Sequence, residues 1–470
     1  MTVAFAAFLP RVFFIFYAPT GGGDWDIYST VAENILSGCG VSLSAPESGE
    51  CIPHFGGNQG PGYPAFVALI WWLSGHSDIV VRVIQAMLSV VAIMYMVRSV
   101  FFYSSSFKAA VLVGFVLALS PLEIAWPRYL QTETLALAGT LWVFSELLMS
   151  LYESRIRIFP LSIALIVTTF IRMDAILLVA PIAVTTFIIY KPFQAIKKGL
   201  IIAILLSLPW GAWLVRNHMV GMTNILPLPM TSPNNAASPN GYLKWLWTWT
   251  THEYQRPGTL FPVTRFVYGA IKVDPIIFST SHEETKVKML LKELKQYTGK
   301  PFPKYIDNNF NKLALDRINN FPLDVYLVNP LKRMWSLWSN VYNSFGWPTE
   351  LPSEVSAQER LDVARGGIRE KFELALKYPA IAIGKFFVSA WRVILLGLFV
   401  FLLVYIFIKK TDQQYKHLML LSLSFIIARS VFSSWGNYVE TRYTLMQMPI
   451  IEVTIIVALY CIIKNRGRGR

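Results

Sequence analysis

Asp24 and Asp26 fall in the stretch Gly21-Gly-Gly-Asp24-Trp-Asp26-Ile-Tyr28, and a further acid, Glu133, follows Thr132 at the head of a long apolar run. Arginines stand at comparable places. Arg128 lies in Trp126-Pro127-Arg128-Tyr129, Arg172 in Arg172-Met-Asp174, Arg216 in Arg216-Asn217-His218 and Arg442 in Glu440-Thr-Arg442-Tyr443, while Arg429 sits inside another apolar run. A carboxylate can take a proton from a hydroxyl or ligate a metal. A forked guanidinium binds phosphate through paired hydrogen bonds. Together these groups describe a site that handles a phosphorylated molecule and a proton. Each also has a plainer role: Asp24 as a helix N-cap, Asp26 and Glu133 as partners of a helix dipole, and any single arginine as a snorkelling side chain. Those roles explain the residues singly better than they explain their convergence.

The elements that carry them are set by composition. Of 470 residues, 54% are hydrophobic, and the mean hydropathy of +0.46 is too high for one soluble core. A spanning helix needs roughly 20 mainly apolar residues, and the sequence predicts about ten such helices. They lie near 3–19, 82–103, 109–126, 132–152, 157–172, 174–190, 199–215, 386–408, 418–434 and 444–463. Basic clusters at Lys108, Arg155 and Arg157, Lys191, Lys197 and Lys198, Lys409, Lys410 and Lys416, and in the tail from Lys464, all fall in loops on one side of that scheme. The positive-inside rule assigns that side to the cytoplasm, with both termini inside. The excess of 42 Lys+Arg over 28 Asp+Glu therefore encodes orientation, not nucleic-acid binding.

The same scheme exports a first loop (19–81), a short turn around Pro127 to Gln131, and a large segment from Arg216 to about Lys385. It predicts three parts: an N-terminal transmembrane module (1–216), a mainly helical exported domain (217–385), and C-terminal transmembrane helices (386–470). In the first loop, apolar residues after Asp24 recur at helical spacing and suggest an amphipathic helix on the membrane surface. Prolines 61 and 64 in Pro61-Gly62-Tyr63-Pro64 suit a helix start. Within the exported domain, Val325 to Trp338 could lie at the membrane interface rather than span it. A Cys39–Cys51 bridge and two free thiols are both open, the first requiring an oxidising compartment. No Walker loop, zinc-spaced His/Cys cluster, nucleophile elbow or dinucleotide fingerprint occurs, and His54 and His218 read as polar loop residues. The first apolar run lacks a basic leader and a cleavage site, so it reads as a retained helix.

With these motifs in order along the chain, the sequence resembles the GT-C glycosyltransferases, in particular the bacterial branch of the dolichyl-phosphate-mannose protein mannosyltransferase superfamily that includes aminoarabinose transferases. The resemblance is carried by Asp24-Trp-Asp-Ile-Tyr28 with Ala32 and Gly38, Pro61-Gly-Tyr-Pro64, Thr132-Glu133-Thr134, Ile171-Arg172, Pro209-Trp210 with Arg216-Asn217, and Arg442-Tyr443 with Pro449. It implies a mainly α, polytopic membrane fold of the GT-C type. It also implies inverting transfer of one sugar from a polyprenyl-phosphate carrier to an acceptor on the exoplasmic side, the acceptor being a glycan, glycolipid or protein.

By that resemblance Asp24, four positions before Tyr28, is the base and Asp26 the alternative, while Glu133 orients the acceptor or a cation. Arg128, Arg172, Arg216, Arg442 and Arg429 are implied as contacts of the carrier phosphate, and Tyr28, Gln59, Tyr63, Asn217 and Tyr443 as substrate contacts. Where many relatives carry a basic residue before two prolines, this chain has Gln59-Gly60-Pro61, so a phosphate contact expected there is supplied elsewhere. Metal use differs among such enzymes, which leaves a divalent cation open and no other cofactor implied. The expected location is a bacterial inner membrane with the site facing the periplasm. The competing readings are a carrier or flippase for lipid-linked sugars, which needs access from both leaflets, and a structural membrane subunit, which the clustered charges disfavour.

Overall fold

In lipid every backbone polar group must be paired internally, which makes helix the default for each long apolar run. The computed structural model describes residues 1–18, 24–43, 51–54, 60–222, 239–340, 346–348, 368–408, 412–436 and 439–468. Among the described residues there is no β-strand, only an isolated bridge between Ser42 and Pro53. The first nine helices are α1 (Thr2–Tyr17), α2 (Trp25–Leu36), α3 (Gly62–Ser74), α4 (Asp78–Ser104), α5 (Phe107–Leu119), α6 (Glu133–Tyr152), α7 (Ile158–Ile171), α8 (Val179–Ile189) and α9 (Pro192–Met219). Later come the helices Pro379–Ile408, Gln413–Trp435 and Met448–Arg468.

The chain is an integral membrane protein. Six described segments are long and apolar enough to cross a membrane: α4, α6, α9, Pro379–Ile408, Gln413–Trp435 and Thr441–Lys464. Thr2–Tyr17, Gly62–Ser74, Phe107–Leu119, Ile158–Ile171 and Met173–Ile189 are apolar but shorter. Each expected span falls on one of these helices, with shifted ends. The third was expected to reach residue 126. It stops at Leu119, because Ser120-Pro121 turns the chain and residues up to Arg128 continue as turns and a short 3-10 segment.

Two cores hold the membrane part together. In one, Val3, Ala7, Ile93, Leu117, Leu141 and Leu165 pack with Leu418, Phe425, Ile450 and Val453 from the C-terminal helices. In the other, Leu122, Trp126 and Leu137 join Phe399, Leu402, Met448 and Ile455. The two ends of the chain therefore build a common bundle. On one flank a cavity of about 840 Å³ runs between α3, α4, α6 and α7. It reaches from Gly62, Leu135 and Ile171 at one end to Tyr95 and Glu146 at the other.

The first loop is covalently closed: Cys39 and Cys51 form a disulfide. Its amphipathic helix α2 buries Tyr28, Val31 and Ala32 against Tyr63, Val67 and Trp71 of α3, the one-sided spacing expected of a surface helix. Gly62 explains the Pro-Gly-Tyr-Pro motif. A Cβ there would lie 2.6 Å from the backbone of Phe170, so only glycine lets α3 start against the end of α7, two residues before Arg172.

The segment between α9 and Pro379–Ile408 has a core of its own, in which Tyr242, Trp245 and Trp249 pack on Leu290, Phe310 and Leu313. Its helix Asn329–Ser339 turns a polar face inward. Arg333, fully buried, donates to the carbonyls of Thr250 (2.7 Å) and Ser434 (3.0 Å), and Trp338 donates to Ser430 Oγ at 2.9 Å. Leu323, Leu327, Leu331 and Trp335 point outward, Trp335 being 74% exposed. Gln413–Trp435, the helix that supplies Ser430 and Ser434, likewise exposes Val431, Phe432 and Trp435, which suits the interfacial position expected for Asn329–Ser339.

Candidate active site

Glu133, Arg172, Asp174 and Arg429 form a continuous buried chain of charge. Glu133 is the first residue of α6 and Arg172 the residue after α7, and the two approach within 3.0 Å. Arg172 Nη1 also donates to Thr132 Oγ1 at 3.1 Å, and its Nε meets Asp174 Oδ1 at 3.1 Å. Asp174 receives Arg429 Nη2 at 2.6 Å on its other oxygen, and Arg429 Nε donates to the Tyr443 carbonyl at 2.8 Å. Arg429 Nη1 is buried with no hydrogen-bond partner. Such a chain forms because each ion, taken from water alone, would carry a large penalty; alternating signs offset it.

A second, more open chain lies beside it. The Asp24 carboxylate is 3.9 Å from Arg442, and both side chains are about a quarter exposed. Arg442 also pairs with Glu440, which is shared with Arg256 of the helical segment between α9 and Pro379–Ile408. The Tyr443 ring joins the two chains, with the Arg172 and Arg442 guanidiniums 5.9 Å and 5.7 Å from its centre, within cation–π range. Glu253, from the same segment, accepts from the Thr441 backbone (3.1 Å) and hydroxyl (2.9 Å) and from Asn340 (3.1 Å). The segment bearing Arg442 is thereby tied down at the residue before it, Thr441.

Asp24 stands at the N-cap of α2 but its side chain makes no capping hydrogen bond. Burial raises its carboxyl above the ordinary range; Arg442 and Arg172 oppose the shift, and Glu133 and Glu440 add to it. A base held closer to neutral pH is better matched to proton transfer. Burial would raise Glu440 as well, but Arg442 and Arg256 hold it below its usual value. Asp26, two residues on, is exposed and makes no ion pair among the described residues. Tyr28 is buried under Asp24, edge-on to Tyr63 at 5.1 Å. Tyr63 donates to Gln85 at 3.2 Å, and Gln85 holds the carbonyls of Pro127 (2.9 Å) and Tyr129 (2.7 Å). These tyrosines thus support the site from below.

Asp24, Glu133, Arg172, Arg429, Arg442 and Tyr443 come together as the sequence suggested. Arg128 and Arg216 have other partners. Arg128 is fully buried, stacks on Tyr129 with its guanidinium 4.1 Å from the ring centre, and donates to the Gly346 carbonyl at 3.1 Å. Arg216 donates to the carbonyls of Val41 (2.9 Å) and His54 (3.2 Å) and to Asn217 Oδ1 (3.1 Å). It fastens α9 to both limbs of the disulfide loop. Burial, with Arg216 nearby, lowers the His54 imidazole to about 4. Gln59 lies outside the described residues. Arg256 and Glu253 were not anticipated, since their partners Glu440 and Thr441 lie 184 and 188 positions away and His252-Glu-Tyr-Gln-Arg256-Pro has no distinctive spacing. No group of three or more His, Cys, Asp or Glu suited to a metal occurs among the described residues; Asp24 and Glu133 face arginines instead.

No protein-family model and no curated protein matches the chain. Two solved structures are similar to it, those of ArnT from Cupriavidus metallidurans bound to undecaprenyl phosphate and in the apo state. Each is 11% identical over 96% of this chain, covering 77% and 76% of the other chain respectively, at a TM-score of 0.39. With identity and score this low, the chemistry rests on the side chains themselves.

Proposed function

We propose that this protein is a membrane glycosyltransferase that moves a single sugar from a polyprenyl-phosphate donor to an acceptor hydroxyl or phosphate, with inversion, at the periplasmic face of a bacterial inner membrane. The observation that carries the reading is the pairing of a partly open carboxylate, Asp24, with Arg442 beside the buried Glu133–Arg172–Asp174–Arg429 chain. Asp24 removes the proton from the acceptor oxygen as that oxygen attacks the anomeric carbon. The bond between that carbon and the carrier phosphate breaks, and the polyprenyl phosphate leaves with the electron pair. Arg442, Arg172 and Arg429 stabilise the charge growing on the phosphate, and the unpartnered Nη1 of Arg429 offers a donor for one of its oxygens. Arg128 and Arg216, engaged by carbonyls, belong to the scaffold in this reading. The apolar cavity, beginning at Leu135 and Ile171 beside Glu133 and Arg172, gives the carrier's hydrocarbon a place next to the charges. No step is routed through a metal.

The test uses purified protein in lipid vesicles with a panel of polyprenyl-phosphate sugars and candidate acceptors. Wild type should release free carrier on adding acceptor, and Asp24→Asn should not, while still binding the carrier. Full activity in Asp24→Asn removes Asp24 as the base. Exchange of the donor between leaflets without bond cleavage would sink the transferase reading in favour of a flippase.

A further inference from the structure

A group of charges that the proposed reaction does not use lies within the helix bundle. Arg11, on α1, is fully buried. Its Nη1 donates to the carbonyls of Ala7 (2.8 Å) and Ala118 (3.0 Å), its Nη2 to Leu117 (3.4 Å) and its Nε to Ser89 Oγ (3.2 Å). Glu123, in the turn after α5 and 4% exposed, brings Oε2 to 4.0 Å from Arg11. Glu452, on the last helix and fully buried, accepts from Ser120 Oγ (2.7 Å) and Trp391 Nε1 (2.8 Å), both on Oε1. Glu123 and Ser120 close one turn, with Glu123 N–H on the Ser120 carbonyl at 3.1 Å, so Ser120 links the two acids. Glu123 Oε1 and Glu452 Oε2 are both buried with no hydrogen-bond partner.

We propose that Glu123 and Glu452 form a buried proton-binding site that holds one proton between two carboxyls sharing the single guanidinium of Arg11. The argument is a charge count. The charged groups that act on one another here are Arg11, Glu123 and Glu452, which leaves one negative charge in excess if both acids ionise. Arg11 carries a single positive charge and cannot balance both, and most of its N–H groups serve backbone carbonyls and Ser89 rather than either carboxylate. An uncompensated carboxylate among apolar helices is costly, and two neighbouring carboxylates do not readily ionise together. One proton removes the excess charge and turns an orphaned acceptor into a donor. The site joins the first and last helices to the turn that leads, through Arg128, to Glu133. It does not depend on the proposed transfer reaction, and its test needs no substrate.

The experiment is infrared difference spectroscopy on the full-length protein in lipid nanodiscs at neutral pH, comparing wild type with Glu123→Gln and Glu452→Gln. The expected result is a protonated-carboxyl carbonyl band in wild type that is missing from both variants, because each leaves one glutamate alone with Arg11, where it ionises. The proposal is overturned if wild type has no such band, if the band survives in both variants, or if it appears only after sodium and potassium are removed, which would mark a metal-cation site. If a variant does not fold, isotope-labelled glutamate in wild type reads the same band, and its absence at neutral pH overturns the proposal equally.

Discussion

Asp24 differs from Asp26 in surroundings, not in chemistry, and the surroundings decide which of them can act as a base. Asp26 faces solvent, whereas Asp24 is drawn toward Arg442 and raised by burial. Since transfer needs the ionised base, activity should climb as pH rises through the raised Asp24 value, and so at a pH above that of an ordinary carboxylate. Arg442 favours the ionised form, so Arg442→Gln should move this rise to still higher pH; a pH–rate profile checks both statements. Asp174 carries the buried chain by accepting from two arginines at once. Asp174→Asn should lower stability by about 3–5 kcal/mol, the usual cost of breaking a buried pair, read as a fall in thermal midpoint. Most of these residues were legible in the sequence, because acids and arginines at the ends of apolar runs have few reasons to be there. The division of labour among the arginines was not. Arg128, Arg172 and Arg216 occupy similar places along the chain, and only their partners in space separate a backbone clamp from an ion-pair member.

At the level of elements, the first loop is held by a covalent link and a side-chain clasp. The Cys39–Cys51 disulfide closes it, and Arg216 grips the carbonyls of Val41 and His54 on its two limbs. Removing the disulfide in a Cys39→Ser/Cys51→Ser protein should cost about 2–4 kcal/mol and leave the loop open to proteolysis. Arg216→Ala should reproduce the proteolytic sensitivity while leaving the affinity for carrier lipid nearly unchanged. A marked loss of carrier affinity in that variant would return Arg216 to the phosphate. The helices themselves were the most legible part, because roughly 20 apolar residues in a row admit few other structures. Their ends were less so: α4 and α9 run past their apolar stretches into polar residues and Pro379–Ile408 begins ahead of Lys385, whereas α5 stops early at Ser120-Pro121. Hydropathy measures what lies in lipid, and helix ends obey capping and proline instead.

Across the whole molecule, the helical segment 239–340 and the membrane bundle meet at the candidate site. Arg256 and Glu253 reach from that segment to Glu440 and Thr441, the two residues before Arg442, which faces Asp24. Arg256→Ala should therefore lower transfer without unfolding the membrane helices, and Arg256→Lys should restore part of it; hydrogen exchange should show the segment around Arg442 loosened only in the alanine variant. The polar inner face and apolar outer face of helix Asn329–Ser339 bear on how the domain could be handled on its own. Its core of Tyr242, Trp245 and Phe310 invites excision of residues 239–340 as a soluble fragment. Such a fragment would carry Leu323, Leu327, Leu331 and Trp335 into water and lose Ser430 and Ser434 as partners for Trp338 and Arg333. It should self-associate in buffer and become monodisperse on adding detergent micelles, so the domain's solubility is a property of its seat on the bundle.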